Sequence, residues 1–85
     1  MPYDVYLKKS AEKELKSLPD KLHDRIVNII LSLKANPLPP NAKKLHGRDG
    51  FRVRVGDYRI LYIVSREEKK IEVVSIAHRK EVYRV

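Results

Sequence analysis

Four arginines in the C-terminal part of the chain, Arg52, Arg54, Arg59 and Arg79, are the side chains best suited to chemistry. A guanidinium stays protonated and presents its donors in a flat fork that matches phosphate oxygens two at a time. Arg52 and Arg54 alternate with Phe51, Val53 and Val55, so a strand that buries its odd positions displays both cations on one side. The pair reads equally well as ordinary solvated residues of an exposed strand. Arg59 fits that plainer reading less well, because it is the one charge among Tyr58, Ile60, Leu61, Tyr62 and Ile63. If helices cover one face of a sheet, period-two placement collects the arginines on the other, as a floor that binds phosphate.

Groups able to move protons or hold a base lie near the end of the chain. His78 stands beside Arg79, and imidazole is the side chain most often used for acid or base work. Most lone histidines are structural. Tyr83 follows the basic run and has the flat, hydrogen-bonding ring on which an unstacked RNA base can sit. Core packing is the commoner fate of a tyrosine, and most of Tyr3, Tyr6, Tyr58 and Tyr62, which alternate with aliphatics in strand-like patterns, are assigned to structure. Lys43 and Lys44 form a basic pair, more often a solvated loop than a site; with Lys80 they are the candidates for binding a nucleic-acid backbone such as RNA.

Several chemistries have no foundation in this sequence. A Gly-rich phosphate loop, a serine nucleophile elbow and a paired-carboxylate motif are all missing. His23 and His46 have neither carboxylate nor histidine at ligand spacing, so no metal and no other cofactor is expected. The chain has no cysteine, which excludes disulfides and thiolate zinc sites and leaves stability to apolar packing.

The elements that must position these groups follow from periodicity. Tyr3, Val5 and Leu7 alternate with Asp4 and Tyr6, predicting a first strand. Ser10 is the expected N-cap of a short helix carrying Ala11, Leu15 and Leu18, closed by Pro19. Asp20 is the expected cap of a second helix, whose stripe is Leu22, Ile26, Ile29, Ile30 and Leu33 and whose end is Asn36-Pro37. Pro37-Leu38-Pro39-Pro40-Asn41 is a stiff connector. Phe51 to Val55, Tyr58 to Val64 and the segment with Ile71, Val73, Val74 and Ile76 then predict three antiparallel strands, with Gly56-Asp57 and Ser65 to Lys70 as turns. The middle one reads as a central strand covered on both faces. The expected class is α+β: an N-terminal strand, two helices, then three strands completing one small sheet with helices against one face.

With 85 residues the chain is expected to be a single domain, residues 1–85, with a thin core. The apolar stretch from Ile26 to Leu33 is far shorter than the roughly 20 residues needed to span a bilayer, and the start lacks the pattern of an export signal. The expectation is a cytoplasmic protein with no membrane role. Nineteen Lys and Arg against eleven Asp and Glu give a net charge of +8, a field that favours polyanions or an acidic protein partner.

The segments YDVYLKKSAEKELKSLP, NPLPPNAKKLHG, FRVRVGDYRILYIV and VVSIAHRKEVYRV, in this order over nearly the whole chain, resemble the RelE/ParE toxin superfamily of type II toxin-antitoxin systems. The last two together are the most specific. The resemblance implies a microbial-ribonuclease-like α+β fold and, in the RelE branch, a ribosome-dependent endoribonuclease that cleaves messenger RNA in the A site without a metal. It implies that Arg59 matches the family's central-strand arginine, Arg79 the basic residue at the scissile phosphate, and Tyr83 the C-terminal tyrosine that orients or stacks on substrate. Arg52 and Arg54 stand where the RelE branch tends to carry lysines, which puts the general base in question, since arginine is a poor proton acceptor. His78, Glu81, Tyr83 and ribosomal RNA are the candidates for moving protons. The resemblance further implies a cognate RelB-like antitoxin and a toxin-antitoxin hetero-oligomer. Two alternatives stay open: a ParE-like inhibitor of DNA gyrase, and a non-catalytic RNA-binding or antitoxin-binding module of the same fold.

Overall fold

The alternation at the N-terminus becomes strand β1, Asp4–Leu7, in the computed structural model, which describes residues 2–45 and 50–78. Helices α1, Lys9–Lys16, and α2, Asp20–Ser32, follow, then strands β2, Lys43–Lys44, β3, Gly50–Val55, β4, Tyr58–Ser65, and β5, Lys70–His78. The sheet order is β1-β5-β4-β3-β2, with β1 parallel to β5 and the other neighbours antiparallel. This is the expected α+β arrangement with one strand more. The added strand, β2, opposes Lys43 to Arg52 and Lys44 to Phe51, so the lysine pair expected in a loop lies instead on a sheet edge. A short, lysine-bearing edge strand is poorly suited to pairing with another chain, which is how such edges stay unpaired in solution.

One face of the sheet is closed by the two helices. Ile26 and Ile30 are one turn apart on α2 and Leu33 follows three residues later, and together with Ala11 of α1 they are buried against Val53, Val55, Ile60, Tyr62, Ile71, Val73 and Ile76. Removing a side chain such as Ile26 from water contributes roughly 1.5–3 kcal/mol. The Tyr62 ring is wholly buried, packs tilted against Phe51 at 6.0 Å, and donates its hydroxyl to the Pro37 carbonyl at 2.7 Å. That bond ties the proline-rich connector to the central strand, and burial pushes the Tyr62 pKa up to about 12.

Two helix caps differ from the sequence expectation. Ser10 lies inside α1, whose cap position is Lys8, because the Lys8 N–H continues the β1 ladder by donating to the Val73 carbonyl at 3.0 Å. The chain thus enters the helix directly from the sheet. Asp20 is the first residue of α2 rather than its cap, which is Pro19, and it contributes a negative charge to the positive end of the helix. The helix ends at Ser32, ahead of Asn36-Pro37, with Leu33 as its C-cap. The expected two-residue turn at Gly56-Asp57 is present, and Gly56 has φ +60, the positive φ that the first position of such a hairpin requires.

The other sheet face has no helix among the described residues. Ile63 of β4 is 41% exposed and Leu61 is half-buried, so over this stretch the helices cover the central strand on one face and leave Ile63 open on the other.

Candidate functional site

The open face presents its side chains in rows set by strand register. Lys43, Arg52 and Leu61 lie opposite one another across β2, β3 and β4, and Arg54 and Arg59 form the next row with Ala77 of β5. Directly opposed residues share a face, so Lys43, Arg52, Arg54 and Arg59 are brought together on the side away from the helices. Arg54 is exposed and Arg52 half-buried, whereas Arg59 is only 5% exposed. The two guanidinium groups stand side by side in this row, so a phosphate placed over it can accept from both.

Asn41, Lys43, Arg52 and Arg54 line a small concavity of about 190 Å³ beside this row. Three cations and a carboxamide around one hollow offer donors from several directions and match the oxygens of a phosphodiester. Asn41 is the member that sequence reasoning missed. It closes the proline-rich connector, and only the short β2 strand brings that connector alongside β3.

His78 is placed elsewhere. It lies opposite Tyr58, meets that ring edge-on at 5.0 Å and 89°, and shares a hollow with Glu14, Ser17, Leu18 and Ile76. Tyr58 packs against the core, so His78 projects to the helix side and is not gathered with the arginines. The physical reason is a register shift between Leu61 and Tyr62. Ile71 and Val73 face the core before it; Ile76 does so after it, opposite Ile60. Strict alternation along β5 would have sent Ile76 and His78 to the open face. Lys44, opposite the core-packed Phe51, likewise projects from the helix side while Lys43 joins the open face. Arg79, Lys80, Glu81 and Tyr83 lie outside the described residues, as does His46. Among the described residues no group of three or more His, Cys, Asp or Glu is arranged to hold a metal ion, and no helix is long and apolar enough to cross a membrane.

A small sheet with one face under helices and cations in rows on the other defines a scaffold for holding a polyanion. Comparison with known proteins makes this specific. The family profile for the ParE toxin of the type II toxin-antitoxin system parDE matches residues 5–83. The protein named RelE1 of Methanocaldococcus jannaschii is 33% identical over 88 residues, covering 99% of this chain and 98% of that one. Toxin RelG of Mycobacterium tuberculosis is 31% identical over 88 residues, covering 99% of each. Among solved structures, an archaeal RelE–RelB complex from Pyrococcus horikoshii superposes with a TM-score of 0.85 at 32% identity, covering 100% of both chains. The chain belongs to the RelE/ParE superfamily, the toxins of type II toxin-antitoxin systems.

Proposed function

We propose that this toxin is a RelE-type endoribonuclease that cuts messenger RNA in the ribosomal A site and is silenced by a RelB-like antitoxin. The observation that carries the reading is the cation cluster of Lys43, Arg52, Arg54 and Arg59 on the sheet face opposite the helices. The RelE names of the curated relatives support the same branch.

The chemistry follows from what arginine can do. The ribose 2′-hydroxyl attacks the adjacent phosphorus, an O2′–P bond forms, and the P–O5′ bond breaks. The products are a 2′,3′-cyclic phosphate and a new 5′-hydroxyl. Arg52 and Arg54 hold the phosphate through paired donors, and Arg59 supplies a fixed positive charge as negative charge grows on the phosphorane. None of the three can take the 2′-hydroxyl proton, because a guanidinium does not release its own near neutral pH; Glu81, Tyr83 or ribosomal RNA accepts it, and the leaving 5′-oxygen takes up a proton to become the 5′-hydroxyl. Arg79 is assigned to the scissile phosphate and Tyr83 to substrate stacking or orientation, on the match of AHRKEVY to the family. Lys43, on the same face, and Lys80 hold the RNA backbone, whereas Lys44 projects from the helix side and has no part in this scheme. His78, on the helix side, has no part in this scheme, and no step requires a metal.

The antitoxin partner is proposed from the relatives, whose solved structures include RelE–RelB and RelBE2 toxin-antitoxin complexes. A flexible acidic segment that folds as it covers the basic face would neutralise it. The test is to supply programmed ribosomes with the toxin and analyse the 3′ ends of the cut message. Cyclic phosphate ends that disappear with Arg52→Ala and Arg54→Ala, or on adding the neighbour-encoded partner, support the proposal. Hydrolytic 3′-hydroxyl ends, or wild-type cutting by both variants, contradict it. The ParE name of the matching profile favours a second reading, inhibition of DNA gyrase without RNA cleavage. In that case the message stays intact and supercoiling stops.

A further inference from the structure

Among the described residues β5 has a strand neighbour on its outer side only as far as Val73, where β1 ends and the chain turns into α1. Beyond that point α1 itself meets the strand edge. Ser10 Oγ donates to the Val74 carbonyl at 3.2 Å, and Glu14 Oε1 accepts from the Ile76 N–H at 3.1 Å and from Ser75 Oγ at 3.3 Å. Ser10 and Glu14 are four residues apart and therefore share one helix face. Their side chains take the donor and acceptor parts that the next strand would take. The three bonds fall on Val74, Ser75 and Ile76, at the register shift, where Tyr62 opposes Val73 and Leu61 opposes Ser75, leaving Val74 as the extra residue.

We propose that Ser10 and Glu14 form a helix-borne clamp on this bulge, and that they are positioning residues for the cationic face. The bulge decides what stands beside Arg59. In the observed register its neighbour on β5 is Ala77, a small side chain that leaves room for a nearly buried guanidinium. Continuing the register of Tyr62 and Val73 without the extra residue would put Ile76 opposite Arg59 and draw Ser75 toward the core opposite Ile60. An unpaired strand edge with one inserted residue is where such a slip starts, and the clamp occupies that edge. The part of this inference that concerns activity rests on the ribonuclease reading; the part that concerns register does not.

The test uses the full chain as wild type, Glu14→Ala, Glu14→Gln and Ser10→Ala. It reads the exchange rate of the Ile76 amide, the Arg59–Ala77 cross-strand contact by NMR, the thermal midpoint, and kcat and KM on programmed ribosomes. The clamp predicts that Glu14→Ala loses protection at Ile76 and lowers kcat by about 10- to 100-fold with KM little changed, the size of effect that a small misplacement of reacting groups produces. Glu14→Gln keeps an acceptor oxygen and restores both. Ser10→Ala shifts the same readouts in the same direction by less, and decides the matter if Glu14→Ala does not fold. Wild-type protection and turnover in Glu14→Ala would overturn the proposal, as would a loss of activity that follows the unfolded fraction and is not rescued by Gln. If the wild type cuts no RNA, the ribonuclease reading fails, and amide protection with the Arg59–Ala77 contact alone decides the clamp.

Discussion

Arg54 and Arg59 stand directly opposite each other across the β3–β4 ladder, the exposed guanidinium beside the nearly buried one. Side by side, the two give a phosphate donors from both strands. Arg54 is exposed, so Arg54→Ala is expected to leave the stability of the unbound toxin within about 0.5 kcal/mol of wild type. The same change should weaken RNA binding and reduce its salt dependence by about one phosphate contact. Denaturant unfolding together with RNA titrations at several salt concentrations checks both. A destabilised Arg54→Ala with unchanged RNA affinity would show that the pair serves the fold.

The Tyr62 hydroxyl is a polar tip in the core that joins the connector to β4. Tyr62→Phe removes the donor and leaves the Pro37 carbonyl without it, a loss of about 1–3 kcal/mol if water does not replace the bond. Its pH dependence has a definite sign. The pKa is near 12 in the folded state against 10.0 for an ordinary tyrosine, so the unfolded chain releases this proton first as pH rises. Stability from Tyr62 is present below pH 10 and falls through the interval up to 12, by at most about 1.4 kcal/mol per pH unit. Alkaline unfolding should be steeper for wild type than for Tyr62→Phe, and equal slopes would contradict this account.

Gly56 turns β3 into β4 with φ +60, and a Cβ placed there meets no atom within 4 Å. Gly56→Ala is thus a purely conformational substitution, expected to cost about 1–2 kcal/mol. Thermal unfolding measures it. Because the same hairpin aligns Arg54 with Arg59, RNA cleavage should weaken in parallel.

Much of this arrangement is legible in the residues. The alternation in Phe51–Val55 and the lone charge of Arg59 among apolar neighbours suggest that the arginines share a sheet face, and the β3–β4 register puts Arg52, Arg54 and Arg59 on one side, while Arg79 lies outside the described residues. The stripe on α2 likewise supplies Ile26, Ile30 and Leu33 to the core. The C-terminal strand is harder to read, because a bulge inverts alternation and depends on the partner strand and on α1. Its local trace is the change from odd to even apolar positions, Ile71 and Val73 followed by Ile76. That change separates His78 from the arginines. Ser10 resembles a helix cap in sequence, yet its hydroxyl serves a residue 64 positions away. Asn41 joins the site through an edge strand of two lysines that has no β-favouring pattern.

The measurement that bears most directly on the central claim is primer extension on a reporter message translated in a purified system. It is run with wild type, Arg52→Ala and Arg79→Ala, beside a gyrase supercoiling assay with the same preparations. The account predicts new ends in the A-site codon, in frame, lost in both variants and absent without ribosomes, while supercoiling proceeds. An intact message with supercoiling blocked would contradict it and assign the toxin to the gyrase branch; RNA binding without new ends would leave a cationic face that holds phosphate and does not cut.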